Sequence, residues 1–313
     1  MRIEVDHHRR TSRETLAQAF SLEKQIGSQL GGKLVWEIGR EALQYELIDP
    51  NNYLAEVRNL VSPIDPEQKR VGVLVGLNHI TMADPALVLE LIHDHIAPLD
   101  HVVAISAKKY LDKKRFPGML IAPIASMASD YKGFRIEPVV HDRPGEVEYY
   151  LEHPKAIDKH SPLIYNGKAL VKAGNELENA KIIVIAPEAH RSPTGELQRG
   201  KPVSRILKRG GEGCIYLPIA VVPPIKGKIT LFKTKTELRV GKPITYQEME
   251  IELRTLNSQL ELLLPSINAG RSEEHQLTLL SMDDMLMWEI AKLTPADRLG
   301  DYREYMQLLQ PTV

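Results

Sequence analysis

A histidine and an aspartate, His79 and Asp84, stand five positions apart where an apolar run from Val71 to Leu77 ends. On a helix, five positions correspond to about 140° of rotation, so the two side chains can meet only if a loop joins them. Asp84 precedes Pro85 and an apolar-periodic run through Ile96, which is typical of a helix N-cap followed by proline. The pattern predicts a strand, a loop and a helix. Both side chains would then lie at the carboxyl end of a strand, where open α/β sheets bind ligands.

General base catalysis is the chemistry that this pair suggests. Imidazole, whose ordinary pKa is about 6.5, can take a proton from a hydroxyl and return it. A carboxylate on the other ring nitrogen fixes the tautomer and stabilises the imidazolium. His79 is therefore predicted to be the base and Asp84 its orienting group. A surface turn in which Asp84 only caps a helix would explain the same two residues.

Four blocks follow one another between residues 71 and 244: a His-x4-Asp pair, an acidic and basic turn, an apolar strand with a proline, and a Gly-x-Pro-Ile strand end. They are His79–Asp84, Ala186–Glu196, Ile215–Val221 and Leu238–Ile244. In this order the blocks resemble those of the glycerolipid acyltransferases, which include lysophosphatidate acyltransferase and the soluble glycerol-3-phosphate acyltransferases. The second of these segments resembles the family's Phe-Pro-Glu-Gly-Thr-Arg-Ser block. In this chain Ala186, Ala189 and His190 replace its Phe, Gly and Thr.

The resemblance implies transfer of a fatty acyl group from acyl-CoA or acyl carrier protein to a hydroxyl of glycerol 3-phosphate or 1-acylglycerol 3-phosphate, in phospholipid biosynthesis. It implies no cofactor and no metal. Glu188 and Arg191 would bind the acceptor, together with an arginine of the family's Gly-rich block. Arg143 is favoured for that arginine because it follows the end of an apolar strand, and Arg135 is the alternative. A guanidinium presents a planar fork of donors that matches a phosphate.

Two other classes of function are compatible with the same residues. A metal-dependent phosphoesterase could use His79, Asp84 and Glu188 as ligands, and a non-catalytic lipid-binding scaffold could keep the fold without turnover. The residues do not distinguish the two acceptors or the two thioester carriers. They also leave the acyl length and the oligomeric state open.

Composition excludes several classes of protein. The chain has 313 residues, 43% hydrophobic and 26% charged, with a formal net charge of -1, so no overall charge favours nucleic acid as a partner. Cys214 is the one cysteine, which excludes an internal disulfide and fits a reducing compartment. The longest charge-free runs, Phe116–Ser129 and Gly213–Ile225, are shorter than the roughly 18 to 20 residues of a membrane span. We expect a cytoplasmic protein, with peripheral contact to a membrane surface left open.

Alternation of apolar strands with helical segments predicts an α/β fold, with a mixed, largely parallel sheet covered by helices. Apolar residues at helical spacing from Leu16 to Leu47 predict a helical N-terminal appendage over residues 1–65, followed by a catalytic domain over 66–246. Residues 247–313 are predicted to be a helical extension, with helices through Gln247–Leu264 and Met285–Leu309. The predicted strands are Val71–Leu77, Val102–Ile105, Arg135–Val140, Ile182–Ala186, Ile215–Val222, Ile229–Phe232 and Glu237–Val240.

Overall fold

The computed structural model describes residues 30–34, 36–38, 44–62, 69–80, 84–112, 118–140, 145–189, 192, 194–225 and 235–309. The strands are β1 (Tyr45–Ile48), β2 (Val73–Leu77), β3 (Val102–Ala107), β4 (Arg135–Val139), β5 (Ile182–Ile185), β6 (Ile215–Val222), β7 (Thr236–Val240) and β8 (Ile244–Thr245). The helical residues 30–34 and 36–38 are termed α1. The other helices are α2 (Tyr53–Val61), α3 (Asp84–His95), α4 (Lys108–Leu111), α5 (Gly118–Lys132), α6 (Glu146–Glu152), α7 (Pro162–Glu178), α8 (Ser204–Gly210), α9 (Tyr246–Ile267), α10 (Met282–Ala291) and α11 (Arg303–Leu309). Short 3-10 turns occupy Leu99–His101, Pro154–Ile157, Glu273–His275, Ala296–Arg298 and Gly300–Tyr302.

Within the described residues, the strands form one sheet in the order β1-β7-β6-β2-β5-β3-β4, with β8 also paired to β6. Strands β6, β2, β5, β3 and β4 run parallel to one another. Both β7 and β8 run antiparallel to β6, and β1 runs parallel to β7. The sheet is therefore mixed and largely parallel, with helices covering it, which confirms the predicted fold class. The carboxyl ends of the parallel strands share one edge, termed here the carboxyl edge.

Two apolar cores lie on opposite faces of the sheet because side chains alternate along each strand. On β2, Leu74 faces the core shared with α7 to α11, whereas Val73 and Val75 face the core shared with α2 and α3. Strands β2, β5 and β6 are buried at every position. Continuous burial of this kind is typical of parallel strands with helices on both faces.

One part of the helical N-terminal prediction is wrong. Residues 45–48 form β1, which pairs with β7 from Tyr45↔Thr236 to Ile48↔Arg239, so Leu47 lies in a strand and not in a helix. Burial alternates along β1, with Tyr45 and Leu47 partly buried and Ile48 exposed. The predicted division at residues 65 and 246 stays a prediction. Residues 1–29 and the predicted strand at 229–232 lie outside the described residues.

The C-terminal extension contains two helices where one had been predicted over Met285–Leu309. Helix α10 ends at Ala291 and α11 begins at Arg303, with Pro295 and two 3-10 turns between them. Proline lacks the N–H that a continuing helix needs. Helix α9 begins at a capping box in which Thr245 and Glu248 satisfy each other's backbone N–H groups. The described helices include none that is long and apolar enough to cross a membrane.

Candidate active site

His79 and Asp84 are in contact, as the sequence predicted. Strand β2 ends at Leu77, two residues before His79, and Asp84 is the first residue of α3. His79 Nδ1 lies 3.3 Å from Asp84 Oδ2, and the two side chains are 14% and 0% exposed. The Ile80 N–H also donates to Asp84 Oδ2, at 2.6 Å. Because the carboxylate can only accept, it favours the proton on Nδ1 and leaves the Nε2 lone pair to accept a proton.

Asn78 fixes the point at which the chain leaves the sheet. Its amide Nδ2 donates to Val221 O at 3.0 Å, and Val221 N donates to Asn78 Oδ1 at 2.6 Å. The side chain, which is buried, thereby extends the pairing of β2 with β6 beyond Leu77↔Ile219. Sequence reasoning missed this residue. An amide directly after a wholly apolar strand was the available signal, since a buried amide needs partners.

Glu188 is hydrogen-bonded to the backbone of His79. The carboxylate accepts the His79 N–H on Oε2 at 3.0 Å and the Gln198 N–H on Oε1 at 3.1 Å. It is 1% exposed. Burial raises the pKa of Glu188 to about 8, although the two backbone N–H groups act to lower the pKa, and the charges of Asp84 and Asp301 add to the rise. The resemblance implies an acceptor contact for Glu188. In the structure its two oxygens contact the protein backbone.

A second link joins His79 to the turn after β5. The backbone N–H of Ser192, a buried residue, donates to His79 O at 2.7 Å. Ala189 stands where the sequence block that this segment resembles has Gly. It has φ 57°, so the backbone adopts the left-handed conformation that glycine adopts at no cost. The Ala189 N–H closes the turn on Ala186 O at 3.0 Å. The turn is thus similar in conformation to one built with glycine, at a cost in strain.

The structure does not bring Arg135 to His79. Arg135 is the first residue of β4, which runs parallel to β3, so it lies at the amino edge of the sheet, opposite the carboxyl edge. Its Nη2 pairs with Glu176 Oε1 on α7 at 2.8 Å. Arg143 and Arg191 lie outside the described residues.

Two lysines stand at the carboxyl edge, because α4 begins directly after β3. Lys109 Nζ pairs with Glu146 Oε2 at 3.2 Å, and this carboxylate is 4% exposed. Lys108 Nζ lies 5.7 Å from the centroid of the Tyr165 ring. Burial, with the charges of Asp158 and Glu137, raises the pKa of the Tyr165 hydroxyl to about 12, so it stays neutral beside the ammonium.

The described residues contain no group of three or more His, Cys, Asp or Glu side chains that could hold a metal ion. His93, Asp94 and His95 lie near the carboxyl end of α3, away from Asp84. The Nε2 atom of His93 lies 2.9 Å from the Nζ of Lys132. The Lys132 ammonium can only donate a hydrogen bond, so it occupies the lone pair on Nε2 that a metal ion would need.

A polar cleft of about 310 Å³ lies between the segment 194–198 and the C-terminal extension, where Gly300, Asp301 and Arg303 line it. Gln198 lines this cleft and also donates its N–H to Glu188. The cleft therefore lies next to Glu188, which accepts the His79 N–H.

Comparison with known proteins gives a distant structural likeness. No family model matches the chain, and no curated protein sequence matches it. Among solved structures, it is similar to the 1-acyl-sn-glycerophosphate (LPA) acyltransferase PlsC from Thermotoga maritima, at 15% identity and a TM-score of 0.40, covering 82% of this chain and 90% of that one. At this identity and TM-score, the function has to be inferred from the side chains of the chain itself.

Proposed function

We propose that the protein is an O-acyltransferase that moves a fatty acyl group from acyl-CoA or acyl carrier protein to a hydroxyl of glycerol 3-phosphate or 1-acylglycerol 3-phosphate. The observation that carries this proposal is the contact of His79 Nδ1 with the buried carboxylate of Asp84 at 3.3 Å. It leaves Nε2 free to act as a base on a partly exposed ring at the carboxyl edge.

The reaction needs no acyl-enzyme. His79 Nε2 takes the proton of the acceptor hydroxyl as its oxygen attacks the thioester carbonyl, and the pair of electrons of the carbonyl moves to oxygen. When the tetrahedral intermediate collapses, the carbon–sulfur bond breaks and the thiolate takes the proton from the imidazolium. Asp84 stabilises the imidazolium between the two steps. The products are the ester and the free thiol.

Glu188 supports this geometry rather than the chemistry itself. Its Oε2 accepts the His79 N–H, and the Ser192 N–H donates to His79 O. Both backbone hydrogen-bonding groups of His79 are thus bonded, which fixes the position of the residue that carries the ring. A base held in one place contributes more to the rate than one that must be ordered in each turnover.

For the acceptor phosphate we propose Arg143 and Arg191. Arg143 follows Val140 by three positions, and Val140 is held at the end of β4 by two bonds to the Asn166 amide, at 2.8 and 2.7 Å. Arg191 directly precedes Ser192, whose N–H donates to His79 O. Arg135 has no part in the proposal, since it lies at the opposite edge and pairs with Glu176.

Release of free thiol from an acyl thioester, measured with each glycerol phosphate acceptor, tests the proposal. His79→Ala should lower kcat by about 10²- to 10⁴-fold. His275→Ala, the same change on an exposed histidine of the C-terminal extension, should leave it unchanged. A chelator should leave thiol release unchanged, whereas release of inorganic phosphate from the acceptor that a chelator abolishes would favour the phosphoesterase. Wild-type protein that releases no thiol with any phosphate-bearing acceptor would overturn the proposal and leave the scaffold.

The same assay distinguishes the arginines. Arg143→Ala should raise the KM of the acceptor roughly 10- to 100-fold, as expected for loss of a hydrogen bond to a charged group. Arg135→Ala is the matched control and should leave this KM unchanged. An increase in KM with Arg135→Ala and none with Arg143→Ala would contradict the assignment.

A further inference from the structure

The segment 197–201 lies between the site and the C-terminal extension and is bonded to both. Gln198 N donates to Glu188 Oε1 at 3.1 Å, on the side of the site. The neighbouring N–H groups point the other way, with Leu197 N donating to Arg298 O at 3.0 Å and Arg199 N donating to Asp301 Oδ2 at 2.9 Å. Such alternation is the geometry of an extended segment, in which successive residues face opposite sides.

The side chain of Arg199 fixes this segment to α10. Its Nε and Nη2 donate to the two oxygens of Asp284, each at 2.7 Å, and its Nη1 donates to the Tyr305 hydroxyl at 2.8 Å. Asp284 is buried, and its Oδ1 also accepts the Tyr302 hydroxyl at 3.2 Å. A bidentate pair with a buried carboxylate leaves the guanidinium little freedom of orientation.

The bonds connect the C-terminal extension to the backbone of His79. Asp301 accepts the backbone N–H of Arg199, and Asp284 accepts its guanidinium. The adjacent Gln198 N–H donates to one oxygen of Glu188, and the His79 N–H donates to the other. Each oxygen of this buried carboxyl group receives a backbone N–H. Displacing the segment would therefore leave one oxygen without that donor and free the carboxyl group to turn.

We propose that Arg199 and Asp301 are positioning residues for His79, through which the C-terminal extension holds the histidine in its working orientation. The proposal rests on the proposed function for its kinetic consequence. Its structural consequence, protection of the His79 amide by residues more than two hundred positions away, stands independently of any activity.

Asp301→Ala is the test, because Asp301 is exposed and its removal takes one acceptor from the segment without opening the core. Asp301→Asn is the matched variant, since the amide oxygen can still accept the Arg199 N–H. Glu304→Ala is the control: it removes a carboxylate three positions on that pairs with Arg271 at 2.7 Å. Two quantities are measured, the hydrogen-exchange rates of single amides by NMR and the thioester assay's kcat and KM.

Asp301→Ala should speed exchange of the Gln198 and His79 amides about tenfold, as expected for loss of one hydrogen bond. The Val75 amide, inside β2, should keep its wild-type rate and serves to exclude global destabilisation. The same variant should lower kcat about tenfold with the KM of the acceptor unchanged. Asp301→Asn and Glu304→Ala should match wild type in both measurements.

Faster exchange at residues 198 and 199 with wild-type exchange at His79 would overturn the proposal, since the segment would then move without releasing the histidine. An equal loss of amide protection and of kcat in Asp301→Ala and Asp301→Asn would also overturn it. If the wild-type protein has no thioester activity, the proposed function fails, and the exchange rates still decide whether the extension holds His79. Should Val75 also exchange faster, Tyr302→Phe, which removes the hydroxyl that bonds Gly200 N at 3.3 Å, replaces Asp301→Ala in the same measurements.

Discussion

Replacement of Glu188 by glutamine should change how the stability of the protein depends on pH. Glu188 is 1% exposed, and burial raises the pKa of its carboxyl group from 4.5 to about 8. Glutamine has nearly the same shape and is neutral at every pH. It keeps one acceptor oxygen, so one of the two N–H groups of His79 and Gln198 loses its partner.

The sign follows from proton binding in the two states. Between pH 4.5 and about 8 the unfolded chain has released this proton and the folded protein keeps it, so the free energy of unfolding falls as pH rises. The contribution is fully present below pH 4.5 and is lost by about pH 8. At about 1.4 kcal/mol per pH unit, the interval is worth roughly 5 kcal/mol. The lost hydrogen bond should cost the Glu188→Gln protein about 1–3 kcal/mol at every pH.

Urea denaturation of the two proteins from pH 5 to pH 8 measures this difference. Wild type should be the more stable protein at pH 5, and its advantage should shrink by about 4 kcal/mol by pH 8, so that the glutamine variant becomes as stable or more so. Glu212→Gln makes the same chemical change on an exposed side chain and is the control. Wild-type and Glu188→Gln curves that run parallel over this range would refute the reasoning, because Glu188 would then be ionised throughout.

The remaining predictions concern backbone conformation and close packing, each read from urea midpoints. Ala189→Gly should stabilise the protein by about 0.5–1 kcal/mol, since φ 57° strains alanine and not glycine; a loss of stability would show that the turn does not hold Ala189 in the left-handed region. Gly76→Ala should destabilise by about 1–3 kcal/mol, because the new Cβ would lie 2.1 Å from the hydroxyl of the buried Tyr216. Gly167→Ala, on α7 with nothing within 4 Å of the new Cβ, should instead stabilise by up to about 1 kcal/mol. Equal losses from both alanines would disprove the packing explanation.

Local patterns were enough to predict the contact of His79 with Asp84. A wholly apolar strand, a short loop and a helix start with proline are all encoded by neighbouring residues. The burial of Glu188 was not predictable in this way. Its partners are the backbone N–H groups of His79, 109 positions away, and of Gln198, 10 positions away. A backbone N–H has no signature in sequence because nearly every residue has one.

The structure departs from the sequence-based expectations at Leu47 and Arg135 for separate physical reasons. Leu47 has a spacing compatible with a helix, but four residues also suffice for a strand, and the partner strand β7 lies far along the chain. Arg135, the alternative to Arg143 as a phosphate ligand, is the first residue of its predicted strand. In a parallel sheet the first residue of a strand lies at the amino edge, so the predicted strand direction already separated Arg135 from His79.

Among the residues that the structure describes, strand β1 lies outermost beside β7, in the same sheet that carries His79. A shortened protein that began at residue 66 would therefore lose more than an appendage: it would expose the N–H and C=O groups along the outer side of β7. Uncovered strands of this kind recruit strands from other molecules. Truncation at that position is thus expected to yield insoluble or self-associating material, whereas a start ahead of Gln44 would keep β7 paired with β1.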